Sequence, residues 1–314
     1  MPERDRAQEA GTRPYDQVAP EQAERLFSFR RSHTYSRVRA GGSTWRYIGC
    51  GRGEPALLLL PGAFLEADMW FNQILALEND FRIITPDAYA LQGVFDIEVV
   101  CRALVSSLDA EGIERATVVG VSAGGAVAQV LLQMAPERVE RVVFSHCGVL
   151  RQSNEADRRT RWMLGLVNLL PLAVIRRVLK SMTSGDLPAS SEWAAFHEAY
   201  MAEALSKIDK RAVVGFLRSG LAIRRRFRFD PDAIASWHGS ILILSSRDDP
   251  LSRDRVEELA ARYPQAWSQL LQKGGHHAFL FFPEAYTKAL QRFLSETSEC
   301  QSARPQVPAG RPSR

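Results

Sequence analysis

The chain has little of several features that would point to particular classes of protein. Its 314 residues include only four cysteines (Cys50, Cys101, Cys147 and Cys300), with neither a metal-binding spacing nor a pairing signature. No stretch reaches the roughly 18 apolar residues that a membrane-spanning helix needs, and the first residues lack the apolar core of a secretion signal. We therefore expect free thiols, a cytoplasmic location and no membrane span.

Lysine is also scarce, since the 40 basic residues comprise 5 Lys and 35 Arg, and the formal net charge is +4. We interpret this bias as genome composition and expect no nucleic-acid partner, because no motif of a nucleic-acid-binding module is evident. The densest basic run, residues 224–228, is typical of a solvated helix end, although it could also hold an anionic substrate or a membrane surface. The proportions of hydrophobic residues (46%) and charged residues (24%) are those of an ordinary globular protein.

One motif carries most of the functional information. Residues 120–124 read Gly-Val-Ser-Ala-Gly, preceded by a β-branched run and followed by an apolar helical run at 126–134. A G-x-S-x-G sequence between a strand and a helix is typical of a nucleophile elbow. In so tight a turn, a side chain at Gly120 or Gly124 would block the approach of strand and helix. We predict that Ser122 is a nucleophile and that the Ala123 amide, at a helix N-terminus, stabilises negative charge.

A nucleophilic serine needs a histidine base, which a carboxylate orients. His276 is our candidate, because it follows the Gly274-Gly275 turn and lies seven residues before Pro283. The adjacent His277 is interpreted as a structural or pocket residue. For the remaining histidines considered, the sequence favours a core or cavity-wall position for His146 and offers no neighbouring acid or serine motif for His197 and His238.

The orienting carboxylate is expected after the buried strand at 241–244, where Asp248 and Asp249 follow the carboxyl end. Catalytic groups of open α/β sheets collect at that edge. We favour Asp249, which precedes Pro250, whereas Asp248 can be a turn residue bonded to its own backbone.

An oxyanion hole is expected in the loop that follows the apolar strand at 56–60. Gly62 allows the chain to turn there, so the amide of Ala63, or less favourably that of Phe64, can act together with the Ala123 amide.

These residues together resemble the α/β-hydrolase superfamily. The matching segments occur in family order, cover about residues 35–295, and lie at 57–64, 81–87, 120–124, 241–244 with Asp249, and 274–276. The resemblance implies an α/β-hydrolase fold, in which a mostly parallel central sheet is flanked by helices and carries a helical cap insertion. It also implies a serine hydrolase that needs neither a metal nor an organic cofactor.

A weaker similarity to maspardin-like proteins rests on residues 71–77, 170–179 and 263–266. Maspardin is regarded as a binding protein without a complete triad. This chain has Ser122, Asp249 and His276, which favours an enzyme, and a non-catalytic binding protein is the alternative.

Composition shifts indicate the organisation of the chain. A hairpin is predicted at 34–40 and 44–49, and helices are predicted at 160–170, 172–182, 191–208 and 209–222. The predicted units are a disordered arm (1–25), a first core segment (26–150), a helical cap (151–237), a second core segment (238–296) and a disordered tail (297–314).

The cap is expected to set the choice of a small-molecule substrate. Candidate pocket residues are Phe64, Trp162, Trp193 and His277. An apolar pocket above a serine nucleophile suggests a carboxylesterase for a small or medium hydrophobic ester. Cleavage of a C–C bond or a peptide bond by the same three residues, the latter as an aminopeptidase, is the alternative chemistry. The sequence leaves the oligomeric state open.

Overall fold

The computed structural model describes residues 13–89, 92–184, 191–250 and 253–295. Its strands are β1 (Tyr35–Ala40), β2 (Ser43–Cys50), β3 (Ala56–Leu60), β4 (Arg82–Pro86), β5 (Ala116–Val121), β6 (Val139–Ser145), β7 (Ile241–Ser246) and β8 (Trp267–Leu271). They form one sheet in the order β1-β2-β4-β3-β5-β6-β7-β8.

The helices lie mostly between the strands. They are α1 (Pro20–Ser32), α2 (Phe71–Leu77), α3 (Ile97–Ala110), α4 (Ala123–Met134), α5 (Asn154–Leu169), α6 (Leu172–Ser184), α7 (Ala194–Lys207), α8 (Lys210–Arg226), α9 (Arg253–Arg262), α10 (Ala278–Phe281) and α11 (Pro283–Ser295).

Strand burial explains why the sheet is mostly parallel. Every residue of β3, β5 and β7 is buried, as expected for apolar strands that are covered by helices on both faces. Strands β3 to β8 pair in parallel, whereas β1–β2 and β2–β4 are antiparallel. The predicted hairpin and the predicted fold class are therefore confirmed, and the carboxyl ends of the parallel strands share one edge.

The segment between β6 and β7 contains α5, α6, α7 and α8 and, over the residues that the structure describes there, no strand. The four helices predicted in this region are present with shifted ends. Helix α5 packs on α8, and α6 packs on α7.

Residues 13–25 differ from the predicted disordered arm (1–25), of which residues 1–12 lie outside the described residues. Arg13–Tyr15 form a 3-10 turn and α1 begins at Pro20, which is well suited to a first helical position. The side chains of Tyr15 and Val18 are buried. The Tyr15 hydroxyl donates a 2.6 Å hydrogen bond to Glu203 on α7. Burial and this bond hold residues that were predicted to be disordered because their sequence is polar.

Two further expectations concern cysteines and membranes. Cys50 and Cys101 are free thiols and Cys147 is buried, whereas Cys300 lies outside the described residues together with the predicted tail at 297–314. In the part of the chain that the structure describes, no helix combines the length and the apolarity needed to cross a bilayer.

Candidate active site

The turn from β5 into α4 holds Ser122 in an unusual backbone conformation. Its φ is 53° and its ψ is −113°, a region that a non-glycine residue adopts only when its surroundings impose it. A Cβ atom at Gly120 would lie 2.4 Å from the Gly124 carbonyl oxygen, and one at Gly124 would lie 2.4 Å from the Leu60 carbonyl oxygen. The two glycines therefore allow the strand and the helix to approach, and this approach forces the turn at Ser122.

The loop after β8 brings His276 to this turn, and Asp248 anchors that loop. The carboxylate of Asp248 accepts hydrogen bonds from the amides of Gly274 (3.1 Å) and Gly275 (2.9 Å). The Asp248 carboxylate thus joins the loop after β7 to the loop after β8 and holds the two residues that precede His276. The sequence had suggested only a bond within its own turn.

Ser122, His276 and Asp249 lie in one hydrogen-bonded series. The Nε2 atom of His276 is 2.8 Å from Oγ of Ser122, and its Nδ1 atom is 3.0 Å and 3.2 Å from the two carboxylate oxygens of Asp249. The Asp249 side chain is fully buried, whereas His276 is partly accessible. A buried carboxylate on one side of an imidazole and a hydroxyl on the other is the arrangement that activates a serine.

The loop after β3 lies beside the same serine. A Cβ atom at Gly62 would be 4.0 Å from Cβ of Ser122. The register pairs Leu60 with Gly120, so the loops that follow both strands start at the same level. Phe64 has a φ of 61°, another strained non-glycine position. The structure thus brings the predicted amide donors, Ala63 and Ala123, to the same edge of the sheet as Ser122.

Further histidines surround His276, and burial keeps their rings neutral. Both ring nitrogens of His146 form hydrogen bonds, one with Ser145 Oγ (2.8 Å) and the other with Ser246 Oγ (2.9 Å). Its ring is edge-on to the His276 ring, with centroids 6.3 Å apart. Burial, together with the charge of His276, lowers the pKa of His146 to about 3. His146 is therefore a satisfied cavity-wall residue, as the sequence favoured.

His277 forms a hydrogen bond with a helix of the β6–β7 segment. Its Nδ1 atom lies 2.8 Å from Nε2 of His197 on α7. Burial lowers the pKa of His197 to about 3 and lowers the pKa of His277 well below its ordinary value. One neutral imidazole can donate its N–H to the unprotonated nitrogen of the other, so His277 joins the His276 loop to α7.

A cavity of about 390 Å³ opens on Ser122 and His276. Its apolar walls come from α4 and α8, and Arg151 and Glu258 form an exposed ion pair (2.7 Å) at the edge of the cavity. Most of these residues have no recognisable signal in the sequence, because they converge only in three dimensions. The lining includes Tyr89, Ala126, Val127, Val149, Leu150, Phe216, Gly220, Ile223 and Arg224.

None of the four predicted pocket residues lines this cavity. Trp162 is 69% exposed on the outer face of α5, and Trp193 is buried against Phe71, with ring centroids 6.2 Å apart. Both residues belong to apolar stripes at helical spacing. Such a stripe predicts a contact surface, but it does not predict what that surface contacts. His277 is absent from the cavity wall as well. Phe64 lies behind the wall, where its ring contacts the lining residue Phe216 at 4.9 Å.

Metal-ligating side chains cluster away from the serine. Among the described residues, the group with suitable spacing is His33, Cys50 and Glu78. Cys50 pairs with Ile83 at the start of β4, which is the edge of the sheet opposite Ser122. The described residues therefore place no metal-ligand set of this kind around the serine.

The chain is similar to known hydrolases over most of its length. The putative carbamate hydrolase RutD of Caulobacter sp. (strain K31) is 28% identical over 258 residues, covering 79% of this chain and 93% of the relative. The esterase YbfF of Escherichia coli (strain K12) is 24% identical over 263 residues, covering 76% and 93%. Both relatives are matched over nearly their whole length.

Solved structures show the same fold. A hydrolase from Pseudomonas aeruginosa PA01 matches with a TM-score of 0.68 at 22% identity, covering 84% of this chain and 99% of the other. An esterase from Thermogutta terrifontis matches with a TM-score of 0.67 at 20% identity, covering 83% and 98%.

The narrower similarity to maspardin-like proteins stays a prediction, since the comparisons support the wider superfamily only. The sequence profile of the Alpha/beta hydrolase family matches residues 57–289, which is most of the chain. With relatives named as esterases and hydrolases, these findings make the protein a hydrolase. The chain belongs to the alpha/beta hydrolase family.

Proposed function

We propose that this protein is a serine hydrolase that cleaves carboxylic esters through an acyl-enzyme. The observation that carries the proposal is the continuous series of hydrogen bonds from Ser122 Oγ through His276 to the buried Asp249. An isolated serine hydroxyl is a weak nucleophile. His276, whose Nε2 atom lies 2.8 Å from the Ser122 hydroxyl, can activate it by taking its proton.

In the acylation step, Ser122 Oγ attacks the ester carbonyl carbon while His276 Nε2 takes the hydroxyl proton. The Asp249 carboxylate stabilises the imidazolium that forms. The amides of Ala63 and Ala123 donate hydrogen bonds to the carbonyl oxygen as it becomes negative, and the N-terminus of α4 adds its dipole. His276 then returns the proton to the departing alkoxide.

In the deacylation step, a water molecule replaces the alcohol. His276 removes a proton from that water, which attacks the acyl carbon. The tetrahedral intermediate uses the same two amides, and its collapse releases the acid and restores the Ser122 hydroxyl. In this mechanism the protein's own side chains supply each proton transfer.

The cavity supports a small or medium hydrophobic acyl group. Val127, Phe216 and Ile223 give an apolar wall beside the nucleophile, and α8 acts as part of a cap over it. Two relatives are named an esterase and a putative carbamate hydrolase, and esters and carbamates share a carbonyl carbon that is bonded to oxygen. We therefore propose esters as the main substrates, with carbamates as the comparison class.

The test is hydrolysis of p-nitrophenyl esters from short to long acyl chains, together with an aryl carbamate. We expect turnover by the wild type, with an optimum chain length, and loss of turnover on the order of 10⁴-fold or more in Ser122→Ala and His276→Ala.

Two substitutions of the same types away from the site, Ser106→Ala on α3 and His238→Ala before β7, serve as controls and are expected to keep wild-type rates. A folded wild type that turns over no ester or carbamate would contradict the proposal. Turnover that persists in Ser122→Ala would do the same.

A further inference from the structure

Exposed large apolar side chains concentrate on one part of the molecule. Of the seven in the described chain, Met134 and Leu270 stand alone, and the other five all lie on α5 and α6: Trp162, Leu166, Leu169, Val174 and Val178. Trp162 is 69% exposed, Leu169 83% and Val178 50%. Isolated exposed apolar residues are ordinary, whereas a cluster of them marks a surface that contacts something.

The spacing puts these residues in two helical stripes. On α5 they fall at positions 162, 166 and 169, and on α6 at 174 and 178, the i, i+4, i+7 pattern of one helix face. Both stripes run to the short connection at Leu170 and Pro171. We call residues 158–181 the α5–α6 hairpin. Its inner side is occupied, since Val167 and Ile175 are buried.

The charges of the α5–α6 hairpin have one sign. Residues 158–181 contain six basic residues, at 158, 159, 161, 176, 177 and 180, and no acidic residue. Arg176 is used internally, because it donates hydrogen bonds to the carbonyls of Ser206 and Ile208, and Lys180 pairs with Glu198. Arg158, Arg159, Arg161 and Arg177 are exposed, and no carboxylate of the described residues pairs with them.

We infer that the α5–α6 hairpin docks on an anionic lipid surface. Trp and Leu side chains that enter the headgroup region beside exposed arginines are the chemistry of interfacial helices. Within residues 158–181, four arginines that have no carboxylate partner among the described residues, and no acidic residue, match a sheet of lipid phosphates. A second copy of this face would instead bring like charges together, which disfavours self-association through the hairpin.

Hydrogen bonds from α8 hold the start of α5, where the hairpin begins. Asp157 accepts hydrogen bonds from Arg224 (3.0 Å) and Arg225 (3.1 Å) of α8, and Arg224 also bonds to Thr160 (2.6 Å). Because Arg224 lines the cavity at Ser122, the same helix that anchors α5 also forms the wall of the proposed active site. Docking would bring that cavity near the lipid surface.

The test is co-sedimentation of the full chain with vesicles of phosphatidylcholine alone and of an equimolar mixture with phosphatidylglycerol. We expect binding to the mixed vesicles that weakens with salt, and little binding to phosphatidylcholine alone. A cation near an anionic surface strengthens binding about fivefold, so Arg158, Arg159 and Arg161, all changed to Gln, should weaken it on the order of 100-fold.

The apolar contribution is tested by Trp162→Ser with Leu169→Ser. Binding should fall sharply, and the fluorescence quenching by brominated acyl chains seen with the wild type should be lost in Trp162→Phe. Controls change three exposed arginines and two exposed apolar side chains elsewhere: Arg25, Arg37 and Arg39 to Gln, and Met134 with Leu270 to Ser. These controls should bind vesicles as the wild type does.

Three results would overturn the inference. The first is a wild type that binds neither kind of vesicle. The second is equal weakening by the hairpin variants and the control variants, which would indicate a nonspecific charge effect. The third is a dimer in sedimentation equilibrium that the Trp162 and Leu169 changes dissociate, which would assign the surface to a second copy of the chain.

Discussion

The Nε2 atom of His276 lies 2.8 Å from Oγ of Ser122, although 154 positions separate the two residues in the chain. Ser122 sits on the turn between β5 and α4, and His276 on the loop after β8, which are separated in the sheet by β6 and β7. The contact therefore depends on the register of four parallel strands and on the anchoring of the His276 loop.

Substitution of Asp249 should mainly reduce catalysis, whereas substitution of the adjacent Asp248 should mainly reduce stability. Asp249 faces the His276 ring, so Asp249→Asn removes the charge that fixes its tautomer, and kcat for ester hydrolysis should fall by about 10⁴-fold. The measurement is single-turnover kinetics on the best p-nitrophenyl ester.

Asp248 instead holds the amides of Gly274 and Gly275. Asp248→Asn should lower the free energy of unfolding by about 2 kcal/mol, the scale of hydrogen bonds to a charged group, and reduce kcat much less than Asp249→Asn does. Equal losses of kcat in the two variants would contradict this division of roles.

Adding one methyl group inside the elbow should be severe, whereas adding one on α5 should be harmless. In Gly124→Ala the new Cβ atom would meet the Leu60 carbonyl oxygen at 2.4 Å. We expect a loss of about 1–3 kcal/mol in the free energy of unfolding, together with loss of esterase activity.

The control is Gly165→Ala, because nothing lies within 4 Å of that position on α5. A helical alanine there should raise the free energy of unfolding by about 0.5–1 kcal/mol. Urea denaturation of both variants measures the contrast, and an unperturbed Gly124→Ala would show that the elbow is less tight than described.

Acid should destabilise the fold through the buried histidines. The folded-state pKa of His197 is lowered by burial from 6.5 to about 3. Below pH 6.5 the unfolded chain therefore binds a proton that the folded chain does not, and stability falls as pH falls from about 6.5 towards 3.

His197→Gln removes this contribution. Between pH 7 and pH 5 the wild type should lose about 2 kcal/mol more unfolding free energy than the variant does, since each unprotonated site costs about 1.4 kcal/mol per pH unit. Urea titrations at both pH values check the difference. Identical pH dependence in the two proteins would mean that His197 takes up its proton while folded.

The cavity wall predicts which aromatic residues set substrate choice. Phe216 lines the cavity on α8 and contacts Phe64 and Tyr89. Phe216→Ala should move the acyl-length optimum to longer chains and lower kcat/KM for the original best ester by about 10–200-fold. Trp162→Ala should leave kcat/KM for soluble esters unchanged, because its ring faces outward. The measurement is kcat/KM of both variants over the p-nitrophenyl ester panel. A changed chain-length preference in Trp162→Ala and an unchanged one in Phe216→Ala would contradict this assignment of the cavity wall.

Local signals account for what the sequence predicted well. Buried strands such as 241–244 are continuous apolar runs, and the Gly-x-Ser-x-Gly turn has a steric reason that can be read from its residues. The alternation of strands and helices implies a parallel sheet, and that topology already places Ser122, Asp249 and His276 at one edge. The structure confirms the fold and brings these three residues into hydrogen-bonding range.

Contacts between distant segments account for what the sequence missed. The amphipathic pattern around Trp193 shows that one face is buried, but Trp193 packs against Phe71 and the neighbouring Phe196 against Tyr15, rather than against the cavity. Likewise Arg30 on α1 donates hydrogen bonds to Asp68 and to Glu203 on α7, two residues that lie far from it in the chain. A polar N-terminal stretch becomes ordered through such bonds, which no local pattern reveals.

The most direct test of the account is labelling with a fluorophosphonate probe, with the modified peptide identified by mass spectrometry. The account predicts one adduct, on Ser122, that is absent in Ser122→Ala, strongly slowed in His276→Ala and unchanged in Ser106→Ala. A folded wild-type protein that forms no adduct, or forms it on another residue, would contradict the assignment of Ser122 as an activated nucleophile. Such a result would favour a binding role for the cavity.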